Sequence, residues 1–300
     1  MHDSATSSGL DPAANASTAT PVATTSAHLN SLLRARYGDF WSPDASKADQ
    51  AASPVIETLL NHRSVRAFSD RPLPDDILRT IMATAQSAST SSNLQAWSVV
   101  AIRDPARKER LAAFAGNQKH VAAAPLLLVF IADLSRLRRV SQAADMPSQA
   151  LDYLETFVVA IADASFAAQN AVVALESMGL GCCYIGGMRN KPTDVAEELA
   201  LPSDAFAVFG LTVGYPAEDV KTDVKPRLPQ EAVLHLEQYQ PESAEALADY
   251  DNTMNAFQQL QHMSELAWTT QSSRRVRGPE SLSGRDQLVS VLHTLGFGLK

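Results

Sequence analysis

His62-Arg63-Ser64-Val65-Arg66 places an imidazole, a hydroxyl and two guanidiniums within five residues. Val55, Ile56, Leu59 and Leu60 precede it, and Phe68 follows two residues on. Two fixed positive charges this close repel each other, which favours an anion between them. Arginine forks suit phosphate because their donors are planar and bidentate, and Ser and His add further hydrogen bonds. Taken alone, the pentapeptide reads more readily as a solvated basic patch, since short charge clusters are common. The residues downstream decide between these readings.

Similar polar outliers recur at the ends of apolar elements. Ile77, Leu78, Ile81, Met82 and Ala85 form one stripe of a helix opened by Pro72-Leu73-Pro74-Asp75-Asp76. Next come the hydroxyl-dense Ser89-Thr90-Ser91-Ser92-Asn93, then Gln95 and a strand at 98–102. A helix over 108–115 ends at Gly116, ahead of Gln118. Residues 125–132 (PLLLVFIA) are continuously apolar, as in a strand buried on both faces. Residues 134–149 read as a polar insertion, a candidate flap.

The longest helical pattern, 152–178, is apolar around most of its circumference and reads as the central helix, closed by Gly179. Strands at 181–185 and 205–213 flank a helix at 193–199. The first strand ends in Tyr184-Ile185-Gly186-Gly187, where glycine lets backbone N–H approach a flat ligand. Lys225-Pro226-Arg227 is a second basic cluster. With 62–66 it suits a phosphate held from two sides. A flat, amide-edged ring on a polyol phosphate describes flavin mononucleotide (FMN).

The segments HRSVRAF (62–68), STSSNLQ (89–95), GNQKH (116–120), AAQNAVVALESMGLG (167–181), YIGGMRN (184–190), FGLTVGYP (209–216) and KPRLP (225–229) carry a family likeness. Over about 54–300 the chain resembles the nitroreductase superfamily of FMN enzymes. It is most similar to the NADPH-dependent major oxygen-insensitive nitroreductases and flavin reductase P. The resemblance implies an α+β fold with a central, mostly antiparallel sheet flanked by helices. It also implies a homodimer with FMN at the interface and a C-terminal extension wrapping the partner subunit.

Site roles follow by resemblance. His62, Lys225 and Arg227 hold the FMN phosphate. Arg63, Ser64 and Arg66 hold the ribityl chain and the pyrimidine end, where Arg66 favours the reduced, anionic ring. Gln118 contacts the ring edge. Tyr184, Ile185 and Gly187 flank Gly186, whose amide meets N5. Ser89, Thr90, Ser91, Ser92 and Asn93 reach FMN from the other subunit. Arg274 and Arg275, in the basic stretch 272–278, bind the 2′-phosphate of NADPH. Asn93 departs from the subgroup, which has an aromatic there, although Asn fits the wider superfamily. Trp97 also resembles the wider motif, or is a core aromatic at a strand start.

The domain reading is an Ala/Ser/Thr-rich disordered tail (1–27), a short helix and linker (28–53), an FMN-binding core (54–236) and a helical extension (237–300). Composition excludes several alternatives. The net charge of −8 opposes a nucleic-acid or membrane-surface binder. Hydrophobic content of 45% predicts a folded core. Cys182 and Cys183 are adjacent, the only cysteines, and read as buried packing residues in a reducing compartment. No apolar run of about 18 residues and no secretory pattern is seen, so cytoplasm is the default. No GxGxxG or GxSxG motif occurs, and the histidines show no metal-ligand spacing. His120 and His235 read as structural or surface.

Three functions remain open at this stage. One is an NADPH-dependent FMN oxidoreductase passing two electrons to nitroaromatics, quinones or related acceptors. Another is a flavin reductase supplying reduced FMN to a partner oxygenase. The third is a flavin-binding module without turnover.

Overall fold

The computed structural model describes residues 26–38 and 53–300. Most of the 1–27 tail and the 39–52 part of the linker lie outside the described residues. The lead-in helix is present as α1 (Ser26–Tyr37), and α2 (Pro54–Leu60) delivers the chain to His62. α2 begins where its chemistry dictates. Pro54 sits at the first position, and Ser53 Oγ accepts the Ile56 amide at 3.2 Å. α3 (Ile77–Gln86) starts later than expected, so Pro72 and Pro74 lie in the loop before it.

Four strands carry the core: β1 (Trp97–Ile102), β2 (Leu126–Asp133), β3 (Gly181–Ile185) and β4 (Ala205–Gly214). They pair antiparallel throughout, in the order β1-β2-β4-β3. Between β1 and β2 lie α4 (Pro105–Phe114) and α5 (Lys119–Ala123); α6 (Ser135–Ala143) and α7 (Leu154–Ser177) separate β2 from β3. α8 (Pro192–Glu198) precedes β4, and α9 (Ala244–Leu260), α10 (Trp268–Arg275) and α11 (Leu288–Thr294) form the C-terminal extension.

β2 is buried at every position, and its alternate side chains serve two cores. Leu126, Leu128 and Phe130 meet Ile81, Ala168 and Leu175 of α3 and α7. Leu127, Val129 and Ile131 meet Leu111, Val121 and Val195 of α4, α5 and α8. The period of two along a strand makes this split automatic. Cys182 and Cys183 divide the same way, one into each core, and both are buried free thiols.

α7 is the one helix among the described residues long and apolar enough to cross a membrane by composition. Its apolar run is interrupted by Asp163, so it is apolar on average without being unbroken. Its contacts with α3 and β2 make it the core helix instead. It is not buried all round as expected, because Leu154, Val158 and Phe166 are each about half exposed, at 51%, 53% and 53%. Its end is set by Gly179 at φ +76°, with the Leu180 amide returning to the Leu175 carbonyl at 3.0 Å.

The candidate flap is a helix pinned at several points. Arg138 of α6 pairs with Asp204 at 2.5 Å and Asp152 at 3.1 Å. Arg136 donates to the Gln95 carbonyl at 2.8 Å. The basic stretch 272–278 is likewise not a loop through its length, since Arg274 and Arg275 form the last turn of α10.

Candidate active site

Residues 62–66 run as an extended segment along the free edge of β3. Ser64 bridges Cys182 in parallel, and the Val65 amide donates to the Cys182 carbonyl at 2.8 Å. Alternation then sorts the side chains. Val65 is buried against Gly181, where a Cβ would come within 2.6 Å of it. Arg63 shares that side. Its Nε donates to Thr222 Oγ1 at 3.1 Å, and it lines a recess with Val65 and Glu176. Ser64 and Arg66 point the other way. The motif is therefore not one basic patch, and Arg63 is turned away from Arg66.

Arg66 lies near Lys225, Cys183 and His120. Burial first, then the charges of Arg66 and Arg227, hold the Lys225 ammonium below the usual lysine range. The Cys183 thiol is pushed up by burial, although Arg66, Ser64 and Lys225 oppose this. His120 is held below the usual imidazole range by burial and then by Arg66. Among the described residues, none of Arg66, Lys225 and Arg227 forms an ion pair with a carboxylate. Three clustered cations without an acid to neutralise them form a seat for an anion.

His62 begins the same segment, and its imidazole is held by a carboxylate. Its Nδ1 bonds Glu176 Oε1 at 2.7 Å. A carboxylate on Nδ1 makes that nitrogen the donor and leaves Nε2 for a ligand.

The β3 exit completes this half. A Cβ on Gly186 would meet only the Arg189 side chain, at 3.4 Å, so its backbone stays approachable. Gly187 is required for a different reason, since a Cβ there would stand 2.5 Å from the Ala115 carbonyl and 2.7 Å from Gln118 Nε2. Gln118 thus packs directly on the Gly187 backbone and donates to the Ala115 carbonyl at 2.7 Å. Ile185 is fully buried in the core, so only its backbone is available to a ligand. Tyr184 stands edge-on to Phe209, with ring centroids 5.1 Å apart.

The hydroxyl-rich loop lies elsewhere. Ser91, Ser92 and Asn93 form a single 3-10 turn just before β1, with Ser92, Asn93 and Gln95 all at positive φ. Asp163 of α7 imposes that shape. Its carboxylate accepts from Thr90 Oγ1 at 2.5 Å, the Ser91 amide at 3.1 Å and the Ala96 amide at 3.0 Å. Trp97 stacks on Phe130 with centroids 6.3 Å apart, which makes it a core aromatic. β1 and β3 are opposite edges of the sheet, about 14 Å apart at about 4.8 Å per strand. The loop also sits at the Phe206 end of β4, whereas Arg66, two residues beyond Ser64 in a segment parallel to β3, is level with Tyr184 and Leu211, about 15 Å further along the strand. One chain therefore does not bring residues 89–93 to the cation seat.

Arg274 and Arg275 line a recess of about 560 Å³ with Trp268 and Gln271. It adjoins a second recess of about 540 Å³ that shares Trp268 and Gln271 and reaches Lys225 and Arg227. Two arginines outside the sequence-based set connect this region to Gly186. Arg189 is lowered by burial and then by Arg285, and Arg285 by burial and then by Arg275. Mutual repulsion along 189, 285 and 275 marks a positive strip.

Sequence reasoning missed Asp163, Glu176, Arg189, Arg285 and Arg36. Asp163 had a signal, being the lone acid within the apolar run of α7. Arg36, in α1, gave none. The anion seat, the approachable Gly186 backbone and a buried His120 Nε2 without a hydrogen-bond partner among the described residues all fit a flat phosphorylated ligand such as FMN.

Known proteins resemble this chain over most of its length. A profile of the nitroreductase family matches residues 59–215, and a profile of the nitroreductase family C-terminal domain matches 225–300. An FMN reductase (NADPH) of Bacillus subtilis is 43% identical over 204 residues, 68% of this chain and 80% of that one. An oxygen-insensitive NADPH nitroreductase of Salmonella typhimurium is 43% identical over 202 residues, 67% of this chain and 81% of that one. The solved structure of Bacillus megaterium NfrA2 superposes with a TM-score of 0.78 at 35% identity, covering 83% of this chain and all of that one.

Proposed function

The chain belongs to the nitroreductase family, and from that membership we propose that it is an NADPH-dependent FMN oxidoreductase reducing nitroaromatics, quinones or related acceptors. The observation that carries this reading is the cluster of Arg66, Lys225 and Arg227, without a carboxylate partner among the described residues and close to His120 and to Cys183 of β3, the strand that leads into Gly186. FMN, when bound, supplies two-electron chemistry, taking a hydride from NADPH and passing the electrons to the acceptor.

This chain's residues do the rest. Lys225, Arg227 and, through an Nε2–H when both ring nitrogens carry protons, His62 bind the phosphate. Arg66 sits at the pyrimidine end, where a cation favours the reduced ring. The Gly186 amide and Gln118 fix the ring's height and edge. Arg274 and Arg275 take the NADPH 2′-phosphate at the end of the positive strip. Residues 54–236 form the flavin-binding core in this reading, and 237–300 supply nucleotide and dimer contacts in a cytoplasmic enzyme.

The set closes only across two chains. Ser89, Thr90, Ser91, Ser92 and Asn93 serve the partner's flavin, because their own lies at the far corner of the sheet. The half-exposed Leu154, Val158 and Phe166 on α7 support this, as do Val55 and Leu59 on α2. Such apolar surface is what a homodimer interface buries.

A purified protein that stays without flavin absorbance after FMN addition would overturn the proposal. Oxidation of NADPH and NADH, measured side by side, tests donor choice. A second reading, release of reduced FMN to a partner oxygenase, draws on the likeness to the Bacillus subtilis FMN reductase. Negligible NADPH oxidation with free FMN, beside brisk turnover with a quinone, removes it.

A further inference from the structure

Arg36 lies in α1, ahead of the family match that starts at residue 59, and it is only 5% exposed. Its Nη1 donates to the Lys225 carbonyl at 2.9 Å. Its Nη2 donates to the carbonyls of Leu60 at 2.8 Å and His62 at 3.0 Å. Its own carbonyl accepts the Arg227 amide at 2.9 Å. One residue is thus bonded to both walls of the phosphate seat, which stand more than 150 residues apart in the chain.

The chemistry accounts for an arginine at this position. Leu60 ends α2, so its carbonyl is among those a helix leaves without an internal partner. A cation there also opposes the negative end of the helix dipole. The planar guanidinium spans three carbonyls at once, a reach a single ammonium lacks. Burial and then the charge of Arg227 push the Arg36 pKa down, so this contact is made against repulsion. In the second wall the Pro226 carbonyl accepts from Tyr250 Oη of α9 at 3.0 Å, and Arg227 Nη1 folds back to the Lys225 and Pro226 carbonyls at 3.3 and 3.4 Å. The carbonyls of Lys225 and Pro226 are therefore engaged by groups of α1 and α9.

We propose that Arg36 is a positioning residue for the phosphate end of the flavin site. It sets the spacing between His62 and the Lys225–Arg227 pair without touching the ligand, so FMN retention depends on the N-terminal helix. This rests on the reading of Lys225 and Arg227 as the phosphate anchor.

The test compares FMN with riboflavin, which lacks the phosphate, by fluorescence titration of the full chain freed of flavin. Arg227→Ala comes first and should lose preference for FMN. If the parent chain and Arg227→Ala both bind the two flavins alike, the phosphate reading itself falls. With that reading standing, Arg36→Gln should weaken FMN by about tenfold and change riboflavin affinity by less than about twofold. Equal weakening of both flavins would make Arg36 merely structural and overturn the proposal, as would no change in either. Arg36→Lys keeps the charge with one nitrogen in place of two, and should still weaken FMN severalfold. It also serves where the glutamine variant does not fold. Parental FMN affinity in Arg36→Lys would assign the effect to charge alone and overturn the positioning role.

Discussion

Asp163 and Thr90 are joined by a 2.5 Å hydrogen bond from the Thr90 hydroxyl to a carboxylate only 1% exposed. The same carboxylate takes the amides of Ser91 and Ala96, and Thr90 Oγ1 in turn accepts the Gln95 amide at 2.9 Å. Three left-handed non-glycine residues sit in this loop, a backbone conformation that needs external support. Asp163→Ala should destabilise the protein by about 3 kcal/mol, because buried donors lose their acceptor. Chemical denaturation measures it. Asp163→Asn, which keeps one acceptor oxygen, should cost less. An alanine variant as stable as the parent would show that the loop holds its own shape.

Arg66 stands near Lys225 and His120 but forms no ion pair among the described residues. Arg66→Ala should weaken FMN binding by roughly tenfold, about 1.4 kcal/mol, and slow flavin reduction by NADPH at saturating flavin. Flavin absorbance after gel filtration and stopped-flow reduction check the two effects separately. Slower reduction with full FMN retention would confine Arg66 to tuning the ring.

Lys225 gives an alkaline prediction. Burial, then Arg66 and Arg227, place its pKa below the ordinary value of 10.5. Phosphate binding needs the ammonium charged. FMN affinity should therefore fall as pH rises through the lowered pKa, before an ordinary lysine would titrate. Flavin-free stability should move oppositely. Between the folded pKa and 10.5 the unfolded chain binds more protons, so this lysine's contribution to stability rises with pH. Lys225→Arg, always protonated, should abolish the alkaline decline in affinity. Isothermal titration between about pH 7 and 10 decides it.

Arg274 has a nucleotide-specific signature. Arg274→Ala should raise the NADPH KM by about fivefold to tenfold, leave the NADH KM nearly unchanged and leave flavin bound. Equal effects on both nucleotides would remove the 2′-phosphate assignment. Arg285, between Arg275 and Arg189, should affect both nucleotides if it faces the shared part of the donor.

The half-exposed Phe166 and Val158 test the two-chain site. Phe166→Glu should shift the protein toward monomer in sedimentation and lower flavin content with it. A fully monomeric variant that keeps FMN at parental affinity would show that residues 89–93 of the partner contribute nothing to retention.

Much of the fold was legible in the sequence. β2 announced itself as an unbroken apolar run and is buried at every position. The ends of α2 and α7 follow Ser53–Pro54 and Gly179, signals that act within a few residues. β3 was bounded correctly by its flanking glycines. The sequence misjudged 134–149 and 272–278, where polar, basic composition resembles a loop but helices form. In the first case the reason is visible: Arg138 finds Asp204 and Asp152, partners far along the chain.

The candidate site divides along the same line. His62, Arg66, Gln118, Gly186, Lys225 and Arg227 could be proposed from the sequence because their motifs are short and contiguous. That Arg63 turns away from Arg66 follows from strand alternation, which sets in only once residues 62–66 lie along β3. That Gly187 leaves no room for a side chain depends on Ala115 and Gln118 arriving beside it.

The sequence by itself determined where β2, β3, α2 and α7 lie and which basic motifs are candidates for an anion seat. Those properties are written in periodicity and in neighbours a few residues away. Tertiary structure alone decided that Arg36 spans to Lys225, that Asp163 shapes the serine loop, and that this loop and the cation seat occupy opposite corners of one sheet. Each of these depends on strand order and on hydrogen bonds between segments far apart in the chain, and no local pattern encodes where the topology will bring such segments together.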